Sequence, residues 1–405
     1  MSHPSWAALR LLAAVALLGW RWVPREWPPC AVDRLRWALG CDEIENLDRL
    51  LSRNNAERRD QGYYNQLLDT GLAPDRSPPI CEEVADLREV VLRPNLSIVR
   101  ADGMTWSTNA LGMRDRSYAV AKPAGTFRMA MTGDSIGVGL GVGDGQGLEP
   151  SLEQSLAEWS RRQGGPAVEI LNFALPGRSP AQRWAHFQQL GWAMEPDLIL
   201  FEATAADVGW DRGRLADLLP RGIGWDCPLY GDVLARAGVQ PGATSEDYFR
   251  ALQPYRWDLV AAVYRAVAAD CRARGVPCLF VLIPRVGRAV EPAEHQRLLD
   301  LARAAGFTAV VDVSDAFDRF DPADLAVHPS DFHPNATGHA LLARRIAEAL
   351  WPLPTLGPLR RSRPNARPDG LDGAVRAESS PRIQTARPGS RLGSEPSLRF
   401  RRPTG

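Results

Sequence analysis

The sequence predicts an α/β protein: a three-layer α/β/α sandwich around a parallel five-stranded sheet, with an N-terminal extension ahead of it. Three observations point there. Of 405 residues, 45% are hydrophobic, enough apolar material for a large core and too much for a disordered chain. From Thr126 onward, short apolar runs alternate strictly with longer amphipathic ones. The short runs are continuously apolar, the pattern of strands covered on both faces, and right-handed crossovers between such strands build a parallel sheet.

Taken in order, strands are expected at 126–132, 168–172, 197–201, 278–283 and 308–313. Helices are expected between and after them at 148–162, 180–194, 257–274, 292–305 and 334–350, with Pro334 at or near the first turn of the last. The sandwich thus occupies 126–352. Inside it, 204–256 is a long connection rich in Gly, Pro and Trp, including Trp210 and Trp225, at the carboxyl edge of a strand, where lids and substrate walls commonly lie.

The ends read differently. Arg10 precedes an apolar run from Leu11 to Trp20, followed by Arg21, Trp22 and Arg25, so 1–25 is expected to be a signal peptide or membrane anchor. This predicts an exported or membrane-anchored protein; the alternative is an amphipathic helix packed on the body of a cytoplasmic one. Residues 26–125 form the extension, with Leu47, Leu50 and Leu51 at helical spacing and a β-like piece at 96–100. From 353 to 405 the chain is Pro, Arg, Ser and Gly with few aliphatics and is expected to be disordered.

Charge narrows the function. Forty-eight basic residues balance forty-eight acidic ones, which argues against nucleic-acid binding by bulk charge. Eleven Arg between Pro352 and the end face only Asp369, Asp372, Glu378 and Glu395, so the rest of the chain is acidic. The six cysteines show no CxxC spacing, which argues against structural zinc; their even number suits disulfides after export, and buried free thiols suit it equally.

Two windows carry chemistry. Met131-Thr132-Gly133-Asp134-Ser135-Ile136-Gly137 places Ser135 at the tip of the first strand, where open α/β sheets bind ligands. The window also fits G-x-S-x-G and by itself identifies no fold. Before the last helix, Asp331-Phe332-His333-Pro334-Asn335 supplies a base for the serine proton and a carboxylate to orient that base. Glycines at 137, 139, 141, 143, 145 and 147 never give G-x-G-x-x-G, no GK[ST] follows, and so neither a dinucleotide nor ATP is expected. His328 and His339 flank His333 but lack a third ligand, so neither metal nor any other cofactor is expected. Glu202, Asp207 and Asp211 could pair as glycosidase acids, although charges at strand ends and in lids are usually solvated or ion-paired.

These windows resemble those of the SGNH, or GDSL, hydrolases, esterases and lipases with a flavodoxin-like sandwich, over roughly Phe127 to Leu350, with Asn109 to Val142 similar to the lead-in of bacterial members. The resemblance implies that Ser135 is the nucleophile, His333 the base and Asp331 the acid. It also implies that Asn172-Phe173-Ala174-Leu175-Pro176-Gly177 is the second block, where Gly177 gives a backbone N–H to an oxyanion alongside that of Ser135. Two departures stand out. The third block, Gly-x-Asn-Asp in the family, reads Thr204-Ala205-Ala206-Asp207, so alanine replaces an oxyanion donor and Thr204 or a group of the lid would have to substitute. The acid and base are one residue apart rather than two, with Ser330 at the usual acid position.

The expected activity is therefore a serine-dependent hydrolase of carboxylic esters acting through an acyl-enzyme, on a small-molecule or glycan ester. Two alternatives stay open: an O-acetyltransferase or deacetylase of surface polysaccharide, and a catalytically weakened relative that only binds ligand. The sequence leaves the oligomeric state open.

Overall fold

The computed structural model describes residues 80–99, 104–328 and 331–360. The expected signal peptide or anchor, the helical stretch around Leu47 and the Arg-rich tail beyond 360 lie outside the described residues. No helix among the described residues is long and apolar enough to cross a membrane.

Two antiparallel hairpins come first: β1 (Cys81–Glu83) with β2 (Val90–Leu92), and β3 (Ser97–Val99) with β4 (Thr105–Ser107). The sandwich then alternates as expected: β5 (Thr126–Thr132), α1 (Leu148–Arg162), β6 (Ala167–Asn172), α2 (Pro180–Leu190) and β7 (Leu198–Ala203). After β7 come α3 (Asp207–Leu218), α4 (Gly231–Ala237), α5 (Ser245–Leu252) and α6 (Arg256–Ala273). β8 (Cys278–Leu282), α7 (Pro292–Ala305), β9 (Ala309–Asp312), the short α8 (Pro322–Leu325) and α9 (Ala336–Leu350) complete it.

The five-stranded sheet has the order β6-β5-β7-β8-β9 and is parallel throughout. The first crossover runs outward from β5 to β6; the second returns across β5 to β7. The chain therefore reverses direction at β5, and a crevice opens at its carboxyl end. Met131 pairs with Asn172 of β6 and Thr132 with Phe201 of β7, which brings the three strand ends level at that crevice.

Alternation along the strands sorts side chains between two cores. Met129, Met131, Leu198 and Leu200 face α1 and α9, meeting Leu152, Leu156, Leu342 and Ile346. Ala130, Ile199, Phe201 and Phe280 face the other side, packed with Trp184, Phe187, Val263 and Tyr264. Each large aliphatic or aromatic side chain buried here contributes about 1.5–3 kcal/mol. The helices start where local chemistry tells them to. Ser179 and Gln182 form a capping box ahead of α2, with Pro180 in its first turn, and Asn335 accepts the Gly338 N–H at the head of α9.

Three boundaries differ from expectation. The 204–256 connection contains three helices whose Tyr230, Tyr248, Phe249 and Leu252 are buried in the second core, so this segment is a wall of the sandwich. Its glycines end short helical turns, as at Gly222 after the 3-10 turn Leu219–Arg221 and Gly238 after α4, both in left-handed C-caps. At the far end, 354–360 forms a 3-10 turn that buries Leu356 and Leu359 against α1, so order persists beyond 352. Pro334 sits two residues ahead of α9, because Asn335 takes the cap.

The extension is also woven in. Arg114 is buried, and its guanidinium donates to the carbonyls of Val138 (2.9 Å), Gly139 and Val142 (2.6 Å) while lying over Trp106 of β4. Gly139 has φ +73°, and a Cβ there would come within 2.8 Å of that guanidinium. The glycine-rich loop thus turns its carbonyls onto a cation.

Candidate active site

Ser135 follows β5 by three residues, in a turn that sits at the switch point of the sheet. Asp134 organises it: its Oδ1 accepts the Ile136 N–H at 2.8 Å, and its carbonyl accepts the Val138 N–H at 3.0 Å. The Ser135 carbonyl accepts from Leu140 at 2.9 Å, whereas the Ser135 N–H has no partner among the described residues.

His333 comes from the loop between α8 and α9, 198 positions away. Its carbonyl accepts the Val327 N–H at 3.0 Å, and the neighbouring Phe332 carbonyl accepts the Val286 N–H at 3.0 Å, so the loop is held from both sides. Phe332 stacks on the imidazole, with ring centroids 4.3 Å apart, and the Arg285 guanidinium covers its ring. Asp331 Oδ1 lies 2.6 Å from His333 Nδ1 and also accepts the His333 N–H at 2.9 Å. With Nδ1 donating to the carboxylate, Nε2 is left as an acceptor, and it lies 2.7 Å from Ser135 Oγ. Both residues are buried, at 2% exposure for His333 and 8% for Ser135. A single intervening residue suffices because the carboxylate folds back over its own loop; Ser330 lies outside the described residues.

The second block also reaches this rim. Asn172 ends β6, and its Nδ2 donates to the Gly137 carbonyl at 3.0 Å, tying β6 to the serine turn. Leu175 N–H donates to the Gly133 carbonyl at 3.0 Å, which places the Pro176-Gly177 turn beside Ser135. Gly177 has φ +66°, the left-handed position that follows proline in a type II turn, and its N–H has no partner among the described residues. Two N–H groups thus stay unpaired on one rim with the serine.

At the end of β7 the arrangement is sparser. Thr204 is fully buried, and its hydroxyl makes no hydrogen bond among the described residues. Ala205 and Ala206 lead into α3 and offer no side-chain donor. A cleft of about 220 Å³ opens between the ends of β7, β8 and β9, lined in part by Ala205, Ile283, Arg288, His295, Ser314 and Asp315.

The acids read as glycosidase candidates are neither solvated nor exposed. Glu202, Asp207 and Asp211 are all buried. Arg183 of α2 pairs with Asp207 at 2.6 Å, and the Tyr264 hydroxyl donates to the same carboxylate at 3.2 Å. Burial pushes Asp207 and Asp211 up to about 6, and it drives Glu202 well above the usual carboxylate range, with Asp134 adding to the effect. What sequence reasoning missed was the depth of these groups. The signal was there in Leu198-Ile199-Leu200-Phe201-Glu202-Ala203, a charge inside an otherwise apolar strand. Among the described residues no group of three or more His, Cys, Asp or Glu is disposed to hold a metal ion. His339 is fully buried on α9, and its ring nitrogens have no partner among the described residues.

No protein-family model and no curated protein matches the chain. Solved structures do. An acetylxylan esterase from Geobacillus stearothermophilus is 15% identical with a TM-score of 0.37, covering 55% of this chain and 93% of its own. A lipase/acylhydrolase from Enterococcus faecalis is 15% identical with a TM-score of 0.33 over 55% and 94% of the two chains. The protein TesA is 18% identical with a TM-score of 0.35 over 57% and 99%. At likenesses this low, only the side-chain geometry bears on function.

Proposed function

We propose that the protein is a serine hydrolase of carboxylic esters, of the SGNH type, that works through an acyl-enzyme. The observation that carries this reading is the hydrogen-bonded run from Asp331 through His333 to Ser135, at the switch point of the sheet and next to two unpaired backbone N–H groups. His333 Nε2 takes the Ser135 proton as Oγ attacks the ester carbonyl, and Asp331 stabilises the imidazolium that forms. The N–H groups of Ser135 and Gly177 hold the oxyanion. Thr204 is placed to join them only if its buried hydroxyl turns toward the rim. His333 then returns the proton to the leaving alcohol, and water activated by the same imidazole releases the acid.

Transfer of the acyl group to a sugar hydroxyl in place of water stays as a second reading, because one acyl-enzyme serves both reactions. The test is labelling with a fluorophosphonate followed by peptide mapping, together with turnover of p-nitrophenyl acetate. Modification of Ser135, and loss of both signals in Ser135→Ala, is the expected result. An unlabelled, inactive wild-type protein sinks the reading, and faster product formation with a sugar acceptor at constant water selects the transferase.

A further inference from the structure

Among the deeply buried groups to which hydrolysis by the relay gives no task, one reaches the serine turn. Glu202 lies inside β7 at 1% exposure, and its carboxyl reaches across to the serine turn. Oε1 accepts the Asp134 N–H at 3.3 Å. Oε2 occupies the space into which a Cβ on either Gly133 or Gly137 would project. Neither glycine has a left-handed backbone, so crowding, not φ, disfavours a side chain: from the carboxyl alone at Gly133, and from the carboxyl together with the Ala174 Cβ at 3.0 Å at Gly137. Those positions flank Ser135 two residues to either side, and Ser135 is carried over the carboxyl between them.

We propose that Glu202 is a positioning residue of the hydrolytic site: its carboxyl, wedged beneath Gly133 and Gly137 and bonded to the Asp134 amide, sets the turn that presents the Ser135 hydroxyl and N–H. The inference rests on the ester-hydrolase reading above. It makes Glu202 part of the oxyanion arrangement without contact to substrate.

The charges around it give the brace a pH dependence. Asp134 faces Glu202 from the serine turn, and Arg183 approaches from α2, donating to the Glu202 carbonyl at 3.2 Å. Arg183 is already paired with Asp207 of α3, beside Asp211 and the Tyr264 hydroxyl. One guanidinium thus serves several carboxyls, and burial, with Asp134 beside it, raises the Glu202 carboxyl well above the usual carboxylate range. A neutral carboxyl under the turn leaves the Ser135 N–H free to polarise an oxyanion. Ionised, it would set a negative charge beneath the atom where negative charge develops, so turnover should fall at alkaline pH.

The experiment uses the full chain, p-nitrophenyl acetate and four variants, with folding checked by circular dichroism. Glu202→Leu, which cannot accept the Asp134 N–H, is expected to lower kcat about 100-fold with little change in KM, as for a nucleophile misplaced by about an ångström. Glu202→Gln, neutral at every pH and of the same shape, should recover most of that loss and abolish the alkaline decline. Gly133→Ala should be as impaired as Glu202→Leu, and the added change Glu202→Ala should restore part of its turnover by making room for the new methyl group. Overturning results are a folded Glu202→Leu as active as wild type, an alkaline limb unchanged in Glu202→Gln, or a Gly133→Ala defect that Glu202→Ala leaves as it was. If Glu202→Leu fails to fold, the Glu202→Gln profile decides. Fluorophosphonate labelling of the wild-type protein separates the two levels: no labelling removes the hydrolase itself, whereas labelling with indifferent Glu202 variants removes only the brace.

Discussion

After β5, the turn from Gly133 to Gly137 is held by several partners: Asp134 N–H on Glu202, Ile136 N–H on Asp134, and the Gly137 carbonyl on Asn172. After β7, one strand away on the same rim, Thr204 buries an unpaired hydroxyl and two alanines follow it. The first region carries Ser135 and is braced from both neighbouring strands. The second offers the buried Thr204 hydroxyl and, from Ala205 and Ala206, no side-chain donor at all. On the proposed mechanism, proton transfer is thus built from fixed side chains, whereas charge stabilisation is left to two backbone amides. A site of this kind should be more sensitive to loss of the relay than to anything done at β7, and it should have room for improvement there.

The largest effects test the relay. His333→Ala should reduce kcat on p-nitrophenyl acetate by on the order of 10⁴–10⁶, the range seen when one member of such a relay is removed. Asp331→Asn should cost about 10⁴ through the imidazole tautomer, with KM nearly unchanged. An Asp331→Asn enzyme within tenfold of wild type would move the acid elsewhere.

A smaller effect of opposite sign tests the sparse side. Ala206→Asn supplies the missing amide donor and should raise kcat, by up to about 10²–10³ if the new N–H reaches the oxyanion. If turnover is unchanged while the fold is intact, two amides already suffice and the contrast between the two strand ends has no catalytic meaning.

The smallest effect concerns stability. Burial, with Arg114 and His333 nearby, pushes the His339 imidazole from its ordinary 6.5 down to about 3. Unfolding lets it take up a proton near 6.5, so its share of stability is intact above that pH and is lost as pH falls toward 3, at about 1.4 kcal/mol per pH unit. Asp207 and Asp211, raised to about 6, act in the opposite sense between about 6 and 3.8. His339→Leu isolates the histidine: its Tm should fall less steeply than that of wild type below pH 6.5, and parallel Tm curves would count against the assignment.

Much of this was legible in the chain because it rests on local rules. Continuous apolar runs marked the five strands, and the meeting of Ser135 with His333 followed from one lying after the first strand and the other before the last helix. What stayed hidden depends on partners distant in sequence. Glu202 stands out as a charge inside an apolar strand, but what it touches stays hidden until β5 and β7 are paired. The Gly and Pro residues of 204–256 suggested an open connection, since nothing local says that Tyr230 and Phe249 will find a core. The N-terminal boundary at 126 followed a change of pattern, yet Arg114 lies twelve residues before it and bonds forward into the glycine loop.

That guanidinium has a practical consequence. A truncated version of the chain beginning at Thr126 would keep Ser135, His333 and the whole five-stranded sheet while losing the cation around which three loop carbonyls are gathered. The carbonyls of 138, 139 and 142 would then repel one another behind the serine, and such a fragment would be expected to fold its layers and yet misplace the Ser135 hydroxyl.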